Sequence, residues 1–80
     1  MTRSVPDVRE RERMVAFALR WMPYGGGPAE EILVDFGIAP RTYFTRLHEL
    51  LTDSASPVEL EQTRIDALLE VCRRRLWLDE

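Results

Sequence analysis

Residues 41–46 read RTYFTR and bring two arginines and two threonines into one short segment. A guanidinium group donates a fork of hydrogen bonds that fits a phosphate or the edge of a guanine, and a threonine hydroxyl bonds to bases or phosphates. An exposed phenylalanine in the same segment would contact the methyl group of thymine. This chemistry predicts recognition of double-stranded DNA by Arg41, Thr42, Phe44, Thr45 and Arg46.

These residues have distinct roles in that prediction. Arg41 would form two hydrogen bonds to a guanine, and Arg46 would hold the sugar-phosphate backbone. Thr42 and Thr45 would contact bases or phosphates. The structural alternative is that both arginines are ordinary surface residues and that Phe44 packs against the fourth predicted helix.

Residue types used in catalysis or metal binding are sparse. His48 is the only histidine, and Glu49 is its only neighbour of a metal-binding type at helical spacing. Cys72 is the only cysteine, and the leucines around it predict a small buried residue rather than a reactive thiol. Because the sequence shows no nucleophile with a base, no carboxylate pair and no metal-ligand cluster, we predict no enzyme, no cofactor and no metal site.

Two further segments have compositions that suit phosphate binding. Three consecutive glycines occupy residues 25–27, but no strand pattern precedes them, and Glu30 and Glu31 would repel a phosphate. We therefore predict a flexible connector between two helices. The three arginines at residues 73–75 spread around a helix, which predicts a solvated helix end.

A helix-turn-helix over residues 28–51 would position the DNA contacts. The second helix is predicted at residues 28–36, and Gly37 ends it by taking a left-handed backbone conformation. The third helix begins at Pro40, so Arg41 lies in its first turn, the part of such a helix that reads the major groove. Core spacing predicts that these two helices bury Ile32, Leu33, Phe36, Tyr43, Leu47, Leu50 and Leu51.

The first helix is predicted at residues 8–22, after a loose arm at residues 1–6. Asp7 and Glu10 have the spacing of a capping box at its start. Its residues at core spacing are Met14, Val15, Ala18, Leu19 and Met22.

The fourth helix is predicted at residues 57–77, with Ser56 as its cap and a proline at its first position. Its residues at core spacing are Ile65, Leu68, Leu69, Cys72 and Leu76. The sequence therefore predicts one all-α domain over residues 1–80, a small four-helix bundle that contains a helix-turn-helix.

The charge balance opposes the DNA prediction. The chain has 11 basic residues, all of them arginine, against 14 acidic residues, and its net charge is −3. Proteins that bind nucleic acid on their own usually present a basic surface. No apolar run is long enough to span a membrane and no signal peptide is recognisable, so we expect a cytoplasmic protein with no membrane partner.

The segment GIAPRT at residues 37–42 resembles the turn and the start of the recognition helix in LuxR-type response-regulator domains. In those domains a glycine, an aliphatic residue, a small residue, a proline, a basic residue and a threonine occur together. The resemblance covers only this segment, and Tyr43 stands where that family usually has a smaller aliphatic residue. It implies that the third helix reads DNA.

A longer resemblance covers roughly the first two thirds of the chain. It depends on elements that occur in a fixed order: Trp21, the pair YG at residues 24–25, and the run TYF at residues 42–44 with Leu47 after it. They resemble a family of short actinobacterial proteins of uncharacterised function with a predicted helix-turn-helix. The resemblance implies a small cytoplasmic protein that binds DNA or is linked to transcription, and it carries no established substrate or site.

The sequence leaves two functions open. The first is a DNA-binding transcriptional regulator that dimerises through its first or fourth helix, because four apolar helix faces exceed what one small bundle buries. The second is a protein-interaction module that docks onto the transcription machinery or another protein, which the acidic total, Glu30 and Glu31 favour. Trp21 and Trp77 are expected in the core, with a partner surface as the alternative.

Overall fold

Four α-helices form the protein, and no strand occurs in residues 8–53 and 59–78, which the computed structural model describes. In chain order the helices are α1 (Val8–Trp21), α2 (Ala29–Phe36), α3 (Pro40–Leu51) and α4 (Gln62–Leu78). A single turn of 3-10 helix (Met22–Tyr24) follows α1. The all-α class and the four helices are therefore confirmed. The predicted arm at residues 1–6 and the predicted caps Asp7 and Ser56 lie outside the described residues.

The ends of α2 and α3 lie close to their predicted positions. Pro28 is the N-cap of α2 rather than its first residue. Gly37 ends α2 with a φ of 70°, and its N–H donates a hydrogen bond of 2.8 Å to the carbonyl of Leu33. Glycine suits this position because other residues rarely adopt a left-handed backbone. α3 begins at Pro40, as predicted, after an extended Ala39.

The start of α4 differs from the prediction of residue 57. Residues 59–60 form a bend, and an early hydrogen bond of α4 runs from the N–H of Ile65 to the carbonyl of Glu61 at 3.0 Å. Leu60 is partly buried and packs against the core. The prediction is wrong at this end because cap signals are local, whereas the packing of Leu60 is a tertiary contact.

α3 lies at the centre of the core, where it contacts each of the other three helices. Removing apolar side chains from water is the main favourable contribution to folding, so this helix has the largest share in holding the four helices together. All the buried hydrophobic residues except Phe17 and Phe44 are predicted by core spacing. The buried hydrophobic residues are Met14, Phe17, Ala18, Ile32, Tyr43, Phe44, Leu47, Leu50, Leu51, Leu68 and Cys72.

Two core positions differ from the prediction. Leu33, expected inside, is 61% exposed. Only Ile32 and Phe36 of the short α2 face the core, and Leu33 points about 100° away from Ile32 around the helix. Phe17, which core spacing did not single out, is buried, and its ring packs edge-on against Phe36 and Tyr43 with centroids 5.4 Å apart in each case.

Candidate functional site

One side of α3 is not covered by the other helices. Arg41, Thr45 and Arg46 are exposed on this side, and Thr42 is partly buried. Because Arg41, Thr45 and Glu49 follow at intervals of four residues, they form a row along the helix. We call this surface the outer face of α3, and it brings together the four polar residues that the sequence predicts as DNA contacts.

The outer face of α3 carries charges of both signs. Arg41 and Arg46 are basic, whereas Glu49 is acidic and lies in the same row as Arg41. Glu49 is a member of this face that the DNA prediction missed, although its spacing from Arg41 was readable in the sequence. A carboxylate would repel phosphate, but it would also accept a hydrogen bond from the amino group of cytosine.

Phe44 is a correction to the predicted site. Its ring is only 2% exposed, so it is not available to a thymine methyl group. The guanidinium carbon of Arg75, on α4, lies 4.6 Å from the ring centroid of Phe44, and the ring of Tyr43 packs edge-on at 4.9 Å. The structural alternative, that Phe44 packs against the fourth helix, is the correct one.

The glycine connector between α1 and α2 is held against the end of α4. Arg75 donates hydrogen bonds to the carbonyls of Gly27, at 2.9 Å, and Gly25, at 3.3 Å. Gly26 and Gly27 are buried, and Gly26 has a φ of 104°. An added Cβ on Gly26 would lie 2.8 Å from the Arg75 guanidinium, so glycine is required for this close approach. The connector presents carbonyl oxygens to a cation. A phosphate-binding loop instead presents backbone N–H groups to an anion.

The arginines of residues 73–75 therefore divide into two kinds. Arg73 and Arg74 are exposed and both form ion pairs with Glu70, as expected of a solvated helix end. Arg75 is partly buried and links α4 to the connector, so the prediction of a solvated end is wrong for this residue. No local pattern in the sequence indicates that contact, because the partners of Arg75 lie 48 and 50 residues away.

An open groove of about 440 Å³ runs between α3 and α4. Thr45, His48 and Glu49 line it from α3. Trp77 lines the α4 side and is 75% exposed, so the expectation that this tryptophan is buried is wrong. Trp21, by contrast, is partly buried and packs against the core. The outer face of α3 therefore continues across the groove to an exposed aromatic ring.

The surface of α2 is acidic and apolar. Glu30, Glu31 and Asp35 are exposed, and they surround Val34, which is 79% exposed, and Leu33. α2 packs against the rest of the molecule through its opposite side. This surface would oppose a phosphate backbone and would favour a basic partner with apolar side chains.

The end of α2 is attached to α1 by an arginine. The guanidinium group of Arg13 donates a hydrogen bond of 2.6 Å to the backbone carbonyl of Asp35. Its carbon also lies 4.9 Å from the ring centroid of Phe36. Arg13 thus stabilises the last turn of α2, immediately before the turn that leads into α3.

Cys72 and Tyr43 are buried neutral groups of the core. Burial raises the pKa of the Cys72 thiol to about 12. Burial and, to a lesser extent, the neighbouring Cys72 raise the pKa of Tyr43 above its ordinary value. Because a thiolate is the reactive form of cysteine, Cys72 is an inert core residue at neutral pH, as predicted.

The described part of the chain contains no group of three or more histidine, cysteine, aspartate or glutamate residues placed to hold a metal ion. No helix within residues 8–53 and 59–78 is long and apolar enough to cross a membrane. No protein-family model, no curated protein and no solved structure matches this chain. Function is therefore inferred from the outer face of α3 and from the surfaces beside it.

Proposed function

We propose that this protein binds double-stranded DNA through the outer face of α3 and acts as a transcriptional regulator. The observation that carries the proposal is the exposure of Arg41, Thr45 and Arg46 on one side of a helix whose other side is fixed in the core. These residue types donate hydrogen bonds to guanine edges and phosphates.

The connection between α2 and α3 supports the same proposal. Three residues join the two helices, and the first of them, Gly37, has a left-handed backbone. A turn of three or four residues that contains glycine is typical of the helix-turn-helix. In that motif the N-terminal part of the second helix contacts the bases, and Arg41 occupies that part of α3.

The acidic net charge restricts how tightly one copy would bind. With a net charge of −3 and Glu49 on the outer face, a monomer would gain little from general attraction to phosphate. A dimer would place two recognition helices on two half-sites and add their contributions. The proposal therefore includes a homodimer, which supplies the second half-site and the affinity that one acidic copy lacks.

A protein-interaction module is the second candidate, and one observation favours it. Leu33 and Val34 on α2, and Trp77 and Leu78 on α4, are each more than 60% exposed. Exposed apolar groups on a small domain often mark a surface that binds another protein. In that case the partner, such as a component of the transcription machinery, would cover these surfaces, and DNA would not be bound directly.

NMR titration distinguishes the two candidates. A short random DNA duplex is added to isotope-labelled protein, and the backbone amide shifts are followed. If α3 binds DNA, the largest changes fall on residues 40–49. If duplex DNA at low salt leaves all amide signals unchanged, the DNA proposal fails. Under the second candidate, replacement of both Arg41 and Arg46 by alanine would leave capture of a protein partner intact.

A further inference from the structure

Two exposed surfaces of this chain are complementary in charge and both are apolar at their centres. The first, which we call the acidic patch, lies on α2 and consists of Glu30, Glu31, Leu33 and Val34. The second, which we call the basic patch, lies at the end of α4. It consists of Arg73, Arg74, Trp77 and Leu78.

The apolar members of both patches are unusually open to solvent for their size. Leu33 and Val34 are 61% and 79% exposed, and Trp77 and Leu78 are 75% and 66% exposed. Tryptophan is among the residues that most often dominate binding energy when a partner covers them. Covering these four side chains would remove most of the large apolar surface that the bundle leaves in water.

The charges favour contact between an acidic patch and a basic patch over contact between two patches of the same charge. Arg73 and Arg74 form ion pairs with a single carboxylate, that of Glu70, so these three residues together keep one positive charge in excess. Two basic patches would repel each other, and so would two acidic patches. An acidic patch facing a basic patch brings Glu30 and Glu31 towards arginines, with apolar side chains between them.

The two patches are connected through Arg75 and the glycine connector. Arg75 follows the arginines of the basic patch, and it is bonded to Gly25 and Gly27 in the connector that leads into α2. The acidic patch begins three residues after Gly27, at Glu30. Under a two-fold axis, each acidic patch would meet the basic patch of the other copy.

We propose that a second copy of this chain docks here, with the acidic patch of each copy against the basic patch of the other. The inference names the surfaces of the homodimer and to that extent rests on the proposed function. It differs from the dimer expected from sequence, because α2 contributes half of each contact. The interface needs no DNA, so it is tested without DNA.

The experiment is sedimentation velocity of purified protein over a range of concentrations. One variant replaces both Leu33 and Val34 with serine, and another replaces both Trp77 and Leu78 with serine. All four side chains are exposed, so both variants should fold, and circular dichroism checks that they do. The expected result is a dimer for the natural chain and a dissociation constant at least about tenfold weaker for each variant.

Charge reversal provides the sharper comparison. Glu30→Arg with Glu31→Arg should give a monomer, and so should Arg73→Glu with Arg74→Glu. The four substitutions together in one chain should restore the dimer, because the charges are again complementary. Glu12→Arg, at an exposed position on α1 outside both patches, is the control and should leave dimerisation unchanged.

Several results would overturn the inference. The first is a natural chain that stays monomeric at the highest concentration reached. The second is a variant with serine at Leu33 and Val34 that dimerises as tightly as the natural chain. The third is a chain with all four charges reversed that does not dimerise. A monomer that still binds DNA would overturn the dimer and leave DNA recognition by α3 standing. A dimer of the predicted kind that binds no DNA would support the dimer and overturn DNA recognition by α3.

Discussion

The hydroxyl of Tyr43, on α3, donates a hydrogen bond of 2.8 Å to the backbone carbonyl of Met14 on α1, and both residues are buried. Tyr43 lies on the side of α3 opposite Arg41 and Thr45, which are exposed. The bond therefore holds the inner side of α3 against α1. Together with the apolar packing, it keeps the candidate site facing solvent.

The Tyr43 bond should have a measurable effect on stability. Tyr43→Phe removes the hydroxyl and keeps the ring, so the free energy of unfolding should fall by about 1 kcal/mol. Tyr24→Phe is the matched control, because Tyr24 is 76% exposed and its hydroxyl should contribute little. Urea unfolding measures both variants. Equal stability of the two would contradict the role assigned to the Tyr43 hydroxyl.

Arg75 should stabilise the fold more than its neighbour Arg74. Arg75→Gln loses the charged bonds to the connector carbonyls and the contact with the ring of Phe44. We expect a loss of about 2 kcal/mol in the free energy of unfolding. Arg74→Gln, which removes the same charge from an exposed position, should change it by less than about 0.5 kcal/mol.

Denaturant unfolding at low and at high salt provides the test of Arg75. Because its hydrogen bond to the carbonyl of Gly27 is partly buried, the difference between the Arg75 and Arg74 variants should persist at high salt. Similar stabilities for the two variants would show that the connector does not depend on α4.

The stability of the protein should fall at alkaline pH because of Cys72. In the unfolded chain this thiol ionises at an ordinary pKa near 9, whereas in the fold it stays neutral up to about pH 12. The unfolded state therefore loses its proton first, and the stabilising contribution, complete below pH 9, is lost as pH rises towards 12. The free energy of unfolding should decrease by about 1 kcal/mol per pH unit across this range.

Cys72→Ala separates the thiol from other alkaline effects. The variant should be less stable at neutral pH because a buried side chain is shortened, but its stability should decrease less steeply above pH 9. Part of the decrease in stability with pH should remain in this variant, because the fold raises the pKa of Tyr43 as well. An unchanged slope in the variant, or a thiol in the folded protein that reacts as fast as in the unfolded chain, would contradict the burial of Cys72.

The elements that the sequence predicts well are those with strong local signals. Proline at the start of α3 and glycine after α2 define a turn whose ends agree with the structure, since each residue limits its own backbone. Periodic spacing also identifies most of the core, because a helix buries one face.

The elements that the sequence predicts poorly depend on contacts between distant residues. The position of Arg75 follows from carbonyl groups in a connector near the other end of the chain, and the start of α4 follows from packing of Leu60. The exposure of Leu33 and Trp77 depends on which surfaces other helices reach. For the site, spacing along α3 predicted that Arg41 and Thr45 lie away from the core, but it did not distinguish Phe44, whose ring packs against Arg75 of α4.

DNA recognition by α3 is tested most directly by the salt dependence of binding to a labelled duplex, measured by fluorescence anisotropy. The natural chain is compared with a variant carrying Arg41→Ala and Arg46→Ala. Arg64→Ala is the control, because Arg64 is an exposed arginine near the start of α4 and does not belong to the outer face of α3.

The predicted result is binding that weakens steeply as salt increases. The double variant should bind more weakly, with a salt slope reduced by about 1 for each copy of the chain on the DNA, because Arg46 is the phosphate contact. Arg64→Ala should bind like the natural chain. Absence of binding at low salt, or an equal loss in the Arg64 variant and the double variant, would contradict the proposal that α3 recognises DNA.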